Sequence, residues 1–402
     1  MQKKLSVADF QHTINPIAHH YAQFKVDERL LLTGHSHQAW PDVALEGIKE
    51  AWQDAATHLD DKWQFAFDKA RQVKLGFASL LNDSDGDYTL AENTHTLVVR
   101  FLSALDLKRR PRLVTSDSEF HSIRRQLERL AEEGIEIVRI ASLPHATFNE
   151  RLTSQINDNT AAVLVSSVFY SSGKICNGLN EVMKACEQQG AELLVDTYHH
   201  LNVVPFHITQ QGLQQAYIVG GGYKYCQLGE GNCFLRIPAE CQRRPVVTGW
   251  YADFESLDKG NNHQVTYGDG GQRFAGATYD PISHYRAAKV FEFFDMYGLH
   301  PSLLHEINQH QTTQLLDRFD ALDLPKALIS RDHKMKPAER GGFISFKSAH
   351  AALISSELHN KKVFCDHRGD TLRIGSAPYL SDRQLHHAMD IFAVVTKKVA
   401  CS

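Results

Sequence analysis

Several classes of protein are excluded by what this sequence does not contain. No apolar run approaches the ~20 residues that a membrane-spanning helix requires, so no membrane segment is expected. The opening Met-Gln-Lys-Lys-Leu is not followed by the apolar stretch of a secretory signal. The seven cysteines (176, 186, 226, 233, 241, 365 and 401) are irregularly spaced and form no Cys-x-x-Cys. They read as reduced thiols of a cytoplasmic protein rather than as a disulfide framework. The 23 histidines include no His-Glu-x-x-His and fall at no zinc-finger spacing, so no metal site is expected. Lys and Arg are scattered and the net charge is −4, which offers no basic surface to nucleic acid or to an anionic membrane. Neither repeats nor low-complexity segments are present. What remains is ordinary globular composition, 402 residues with 43% hydrophobic and 22% charged, enough for a large core and two or three domains.

The stretch that organises the chain is Gly220-Gly-Gly-Tyr223-Lys224-Tyr225. Apolar Ala216-Tyr-Ile-Val219 precedes it, and Gly229-Glu-Gly-Asn232 leads into Cys233-Phe-Leu-Arg-Ile237. Lys224 therefore sits at a glycine-punctuated break between two buried strands. A lysine is costly to bury unless its charge is used or removed. One use is a Schiff base to a carbonyl cofactor, formed by a lysine that its surroundings make nucleophilic; the plain alternative is a surface lysine in a loop. Upstream, Ala191-Glu-Leu-Leu-Val195 ends in Asp196-Thr-Tyr-His199. A buried parallel strand with a carboxylate at its C-terminal end lies where open α/β sheets place ligands. In pyridoxal-phosphate enzymes an Asp faces the pyridinium nitrogen while a lysine binds the aldehyde. Taken alone, Asp196 fits a turn or helix cap equally well.

Taken in order, residues 5 to 26 carry a weak helical pattern, and Leu30-Leu-Leu-Thr33 reads as a short strand. Amphipathic helices are predicted over 42 to 56 and 63 to 81. The polar turn Glu92-Asn-Thr-His95-Thr96 opens a helix and reads either as a phosphate cradle or as a plain N-cap. From 112 to 237 the pattern alternates, with strands at 112 to 115, 136 to 140, 161 to 166, 191 to 195, 216 to 219 and 233 to 237. Helices are predicted over 119 to 133, 147 to 156 and 179 to 189, which means βαβ units and a mostly parallel sheet. Phe120, just beyond a strand end, is placed to stack on a flat cofactor or to fill the core. Residues 239 to 280 look irregular, as site edges and subunit contacts often do. The remainder reads as an α+β domain: helices at 282 to 297, 300 to 321, 349 to 358 and 382 to 397, and strands at Gly341-Gly-Phe-Ile-Ser-Phe346 and Leu372-Arg373-Ile374. Arg373 is suited to grip a carboxylate through two parallel hydrogen bonds, or is a surface strand residue.

Together these segments resemble the fold-type I pyridoxal-phosphate enzymes of the class V aminotransferase branch, and within it the kynureninases. The resemblance covers most of the chain. It rests on Asp196-x-x-His199, Gly222-Tyr223-Lys224-Tyr225 with Gly229-x-Gly231, Gly249-Trp250, Gly276-x-Thr278 and Leu372-Arg373-Ile374. It implies an α/β fold: a large domain over 41–281 with a mostly parallel seven-stranded sheet, a small α+β domain over 282–402, and a 1–40 segment near the site. It also implies pyridoxal 5'-phosphate bound to Lys224, which then shuttles the Cα proton. Asp196 answers the ring nitrogen with His199 beside it, and Phe120 stacks on the ring. Thr96 and the backbone of His95 take the phosphate together with Tyr223, which doubles as an acid near the substrate. Trp250 and Thr278 complete the phosphate site of a second subunit, so a homodimer with shared sites is implied. Arg373 binds the α-carboxylate of an amino-acid substrate, and His35 and Ser36 line the substrate end.

The implied reaction is kynureninase-type hydrolysis in tryptophan catabolism, cleaving the Cβ–Cγ bond of a 2-amino-4-oxo acid to alanine and an aromatic acid. The departures lie mostly at the substrate end. His35 replaces an Asn, His37-Gln38 replaces Leu-Gly, Ile123 replaces an acidic residue, and Glu230 and Asn232 stand in a loop richer in glycine elsewhere. Transamination or a lyase step on another amino acid is therefore the alternative. A cysteine desulfurase needs a nucleophilic thiol, for which Cys365 is the C-terminal candidate, and a non-catalytic scaffold would be expected to have lost Lys224 or Asp196.

Overall fold

The computed structural model describes residues 5–259 and 264–400, and in it the apolar runs of the first two-thirds become neighbouring strands of one sheet. The order across that seven-stranded sheet is Asp87–Ala91, Cys233–Ile237, Tyr217–Gly221, Glu192–Asp196, Thr160–Ser166, Arg112–Ser116, Glu136–Ile140. The last five pair in parallel, and Cys233–Ile237 runs antiparallel to both of its neighbours. Successive residues feed opposite faces, as a period of two demands. Leu193 and Val195 join one core cluster with Phe77 and Phe234, while Leu194 joins the other with Leu97, Phe101 and Leu127. Burial on both faces explains why the central strands read as unbroken apolar runs. Thr160–Ser166 is buried at every position.

Asp87–Ala91 is held to the sheet through a buried ion pair. Arg236 Nε lies 2.9 Å from Asp83 Oδ2, with both side chains almost wholly buried. Arg236 also donates to the carbonyls of Gln214 and Ala216, and the Tyr88 hydroxyl donates to Asp83.

The C-terminal third forms an antiparallel four-stranded sheet in the order Asp366–Arg368, Thr371–Ile374, Ile344–Lys347, Ser330–Arg331. Helices Pro301–Ala321, Ala351–Asn360 and Asp382–Ala400 pack with it. The N-terminal segment returns to this part of the molecule. Leu30–Leu31 pairs in parallel with Val363–Phe364, and Thr33 bridges to Gly375.

The helix suggested over 5 to 26 is replaced by two 3-10 segments, Val7–Phe10 and Ala18–Phe24. Pro16 lacks the N–H that a continuous helix would use, and the Asn15 side chain accepts from the Ile17 and Ala18 N–H groups, starting the chain afresh. The span predicted to be irregular carries the 3-10 segments Trp250–Lys259 and Gly270–Phe274. Its residues 260–263, like Cys401, lie outside the described residues. Among the described residues no helix is long and apolar enough to cross a membrane.

Candidate active site

Four turns come together at one edge of the large sheet; of the strands they follow, Glu192–Asp196 and Tyr217–Gly221 are adjacent, and the other two lie on either side, each beyond one intervening strand. Glu192–Asp196 ends in Asp196, and the turn after it carries Tyr198 and His199. Tyr217–Gly221 runs into Tyr223 and Lys224. Phe120 stands at the N-cap of helix His121–Glu132, and Asn93 at that of Thr94–Ser103. Two glycines permit the approach. A Cβ on Gly221 would lie 2.5 Å from the Tyr198 hydroxyl oxygen, and one on Gly222 would lie 2.7 Å from the Leu228 side chain. The loop holding Lys224 folds back through the bond from the Leu228 N–H to the Gly222 carbonyl. Together these turns enclose a cavity of about 220 Å³.

Lys224 lies inside that cavity with 5% of its surface exposed. Its Nζ is 2.9 Å from His199 Nε2 and 4.6, 5.5 and 5.8 Å from the ring centres of Tyr198, Phe120 and Tyr223. Burial brings its pKa down to about 7; Asp196 opposes that shift and Arg373 adds to it. The amine is thus available near neutrality as a nucleophile or base. Burial also raises the Asp196 pKa, against the Tyr198 N–H and the Lys224 charge. A cationic ring nitrogen in front of Asp196 would favour its ionised form. The imidazole of His199 is held neutral, first by burial and then by Lys224. Behind Asp196 is Glu119, fully buried and pushed up to about 7 by burial. It accepts from the hydroxyls of Ser116 and Ser166.

These features fit pyridoxal phosphate: an amine of lowered pKa, a carboxylate in the same cavity, aromatic walls, and the N-terminus of a ten-residue helix at Asn93–His95. Among the described residues no group of His, Cys, Asp or Glu is arranged to hold a metal ion.

Of the residues singled out in the sequence, Lys224, Asp196, His199, Phe120, Tyr223 and His95 line the one cavity. Thr96 does not. Its hydroxyl donates to Glu92 at 2.6 Å and its N–H to the Asn93 side chain, whereas Thr94, two residues earlier, lines the cavity. The helix begins at Thr94, ahead of its apolar run, with Asn93 as its cap.

Trp250 and Thr278 are also away from this cavity. Trp250 is 42% exposed and packs on Tyr251 and Phe254; Thr278 is exposed, with its side chain hydrogen-bonded to Tyr251. Ser36 points back, its hydroxyl donating to the Thr33 carbonyl. Ile123 is a core residue on the inner face of its helix.

Arg373 is buried, and His35 is held in the same network. Arg373 forks onto both oxygens of Asp366 through Nε, at 2.8 Å, and Nη2. Its Nη1 donates to the Tyr170 carbonyl at 2.9 Å. His35 Nε2 lies 2.8 Å from Asp366 Oδ1. Phe343 forms a shared apolar wall, 4.9 Å from the His35 ring, 5.4 Å from His199 and 5.5 Å from the Arg373 guanidinium. Asp366, Phe343, Tyr170, Tyr198 and Glu119 were not picked out from the sequence. Only Tyr198 and Glu119 had a signal there, flanking the chosen Asp196-x-x-His199 and Phe120.

Residues 89–389 match the family described as aminotransferase class-V. The chain belongs to that family. Among curated relatives of this class-V family member is the "uncharacterized aminotransferase YcbU" of Bacillus subtilis (strain 168). It is 21% identical over 369 residues, covering 91% of this chain and 94% of the relative. Among solved structures, a variant of C-DES with glycine covalently linked to its PLP cofactor superposes with a TM-score of 0.81 at 17% identity, covering 94% of this chain and 99% of that one. The apo cysteine desulfurase of Thermococcus onnurineus NA1 gives 0.78 at 15% identity, covering 99% and 100%. At such identities the likeness is one of fold: the fold-type I architecture of pyridoxal-phosphate enzymes, with its large mixed sheet and C-terminal domain.

Proposed function

We propose that this class-V protein is a pyridoxal-phosphate-dependent enzyme that carries out amino transfer or a lyase step on an α-amino acid. The observation that carries the reading is Lys224: a buried amine with a pKa near 7, in one aromatic-walled cavity with Asp196. When bound, the cofactor supplies a ring that accepts the electron pair released at the substrate Cα. Lys224 would provide the amine that holds the cofactor and the base that moves the substrate Cα proton. Asp196 would hold a negative charge toward the ring nitrogen. Phe120 and Tyr198 exclude water from the space around Nζ, and His199 keeps Lys224 oriented. Arg373 is assigned to the substrate α-carboxylate. Trp250 and Thr278 are assigned to the phosphate site of a second copy, in a homodimer built from segments 1–40, 41–281 and 282–402. The six described cysteines are unpaired, which fits a cytoplasmic enzyme.

Among the carbon–sulfur chemistries that the structural relatives' names carry, thiol-dependent desulfuration is disfavoured. The Cys365 thiol is 6% exposed, pushed up to about 12 by burial, and directed at the Ser355 hydroxyl, so it is a poor nucleophile. The kynureninase-type hydrolase stands as the second reading. Tyr223-Lys224-Tyr225 favours it, whereas the relatives above are named for amino transfer and sulfur chemistry.

One assay separates these readings. The purified holoenzyme is incubated with a panel of amino acids, including cystine and kynurenine, with and without a 2-oxo acid. Amine transfer that depends on the oxo acid marks an aminotransferase. Ammonia and an oxo-acid product without an acceptor mark a lyase, and alanine plus an aromatic acid mark the hydrolase. No turnover of any amino acid, in protein that binds the cofactor, would overturn the proposal.

A further inference from the structure

A guanidinium has five N–H groups in a fixed fork. In Arg373, Nε and one hydrogen of Nη2 are committed to Asp366, and one hydrogen of Nη1 to the Tyr170 carbonyl. One hydrogen on each terminal nitrogen is left over. The side-on edge is thus used by the protein itself, and the terminal nitrogens retain one donor each for a ligand. Tyr170, whose carbonyl holds Nη1, also lines the cavity around Lys224.

Asp366 is in turn fixed from its other side. His35 is wholly buried, and burial lowers its pKa to about 4, so it is neutral and donates from Nε2 to Asp366 Oδ1. His35 has little room to turn. A Cβ on Gly375 would lie 2.5 Å from its Nδ1, and Phe343 stands against its ring. Arg368 adds a third contact, 3.4 Å from Asp366 Oδ2.

We propose that Asp366 and His35 are positioning residues that set the angle of Arg373, so that its free terminal hydrogens meet the α-carboxylate of the substrate. This rests on the reading of Arg373 as the carboxylate-binding residue. The pair also tempers the guanidinium charge. Affinity for the carboxylate then depends on geometry more than on net charge, and an amine without a carboxylate is insensitive to the pair.

The holoenzyme is titrated with L-alanine and, separately, with ethylamine, following the cofactor absorbance. In the wild type L-alanine binds more tightly than ethylamine. In Asp366→Asn the Kd for L-alanine rises at least tenfold, while that for ethylamine stays within about twofold. His35→Asn moves it the same way by a smaller factor, and serves if Asp366→Asn does not fold. Equal weakening of both ligands, or no change in either, overturns the positioning role. Arg373→Lys separates the two layers of the argument. If it leaves the preference for L-alanine intact, or if the wild type shows no preference, the carboxylate assignment itself fails. If Arg373→Lys abolishes the preference and both positioning variants keep it, only the present proposal fails.

Discussion

Lys224 Nζ and His199 Nε2 lie 2.9 Å apart in a space where neither side chain is comfortably charged. Burial lowers both pKa values, so near neutral pH the pair shares at most one extra proton. That favours a lysine that is a free base much of the time, with the imidazole as hydrogen-bond partner rather than competing cation.

Replacing Lys224 with Ala removes both the cofactor anchor and the base. Turnover is expected to fall by about 10³-fold or more, with the fold retained by circular dichroism. Borohydride reduction of the wild-type holoenzyme should leave its label on the peptide containing Lys224. A label elsewhere, or turnover at the wild-type rate, would remove this residue from the mechanism.

The same burial has a signature in stability. The unfolded amine keeps its proton up to about 10.5, while the folded amine releases it near 7. Between those values the unfolded chain binds more protons, so this group's contribution makes stability climb with pH. In cofactor-free protein, Lys224→Met should therefore be more stable than wild type at pH 7 by on the order of 1–3 kcal/mol. The gap should narrow as pH approaches 10. Denaturant melts at several pH values measure it, and a gap independent of pH contradicts the assignment.

Asp83 and Arg236 test the edge of the large sheet. Removing one partner strands a buried charge, so Asp83→Ala should cost about 3–5 kcal/mol in thermal or denaturant unfolding. Arg236→Met in the same background should recover a substantial part of that loss. If the double variant is worse than the single one, the carbonyl bonds of Arg236 to Gln214 and Ala216 outweigh the ion pair.

Gly375→Ala drives a methyl against His35, 2.5 Å from Nδ1 and 2.8 Å from its backbone nitrogen. The expected cost is about 1–3 kcal/mol of stability. L-alanine binding should also weaken, since His35 braces Asp366. A variant with wild-type affinity would mean that His35 moves without disturbing Arg373.

Trp250 does not line the cavity of its own chain. If it serves a second copy, Trp250→Ala should both shift the dimer toward monomer in light scattering and speed loss of cofactor. Faster cofactor loss from protein that is monomeric before and after the change would refute the shared site.

The large sheet was legible in the sequence because its central strands are buried on both faces, and an unbroken run such as Ala191 to Val195 has few other readings. Asp196 and Lys224 were legible because a charged residue ending such a run calls for an explanation. The Arg373 network was not. Asp366 sits in a short strand among His and Arg and looks like surface; its burial arises only when the N-terminal turn carrying His35 is laid against it. Which residue of the Glu92–Thr96 turn faces the cavity was not legible, for a local reason. The polar turn holds two threonines and an asparagine, and which of them caps the helix depends on geometry that composition does not encode.

The parallel pairing of Leu30–Leu31 with Val363–Phe364 has a consequence for biosynthesis. His35 and Asp366 are 331 positions apart, so their loop closes only when nearly the whole polypeptide has left the ribosome. The doubly buried strands are complete long before that. A nascent chain halted near position 350 is therefore expected to have built its scaffold and its lysine turn while remaining unable to tell an amino acid from a simple amine.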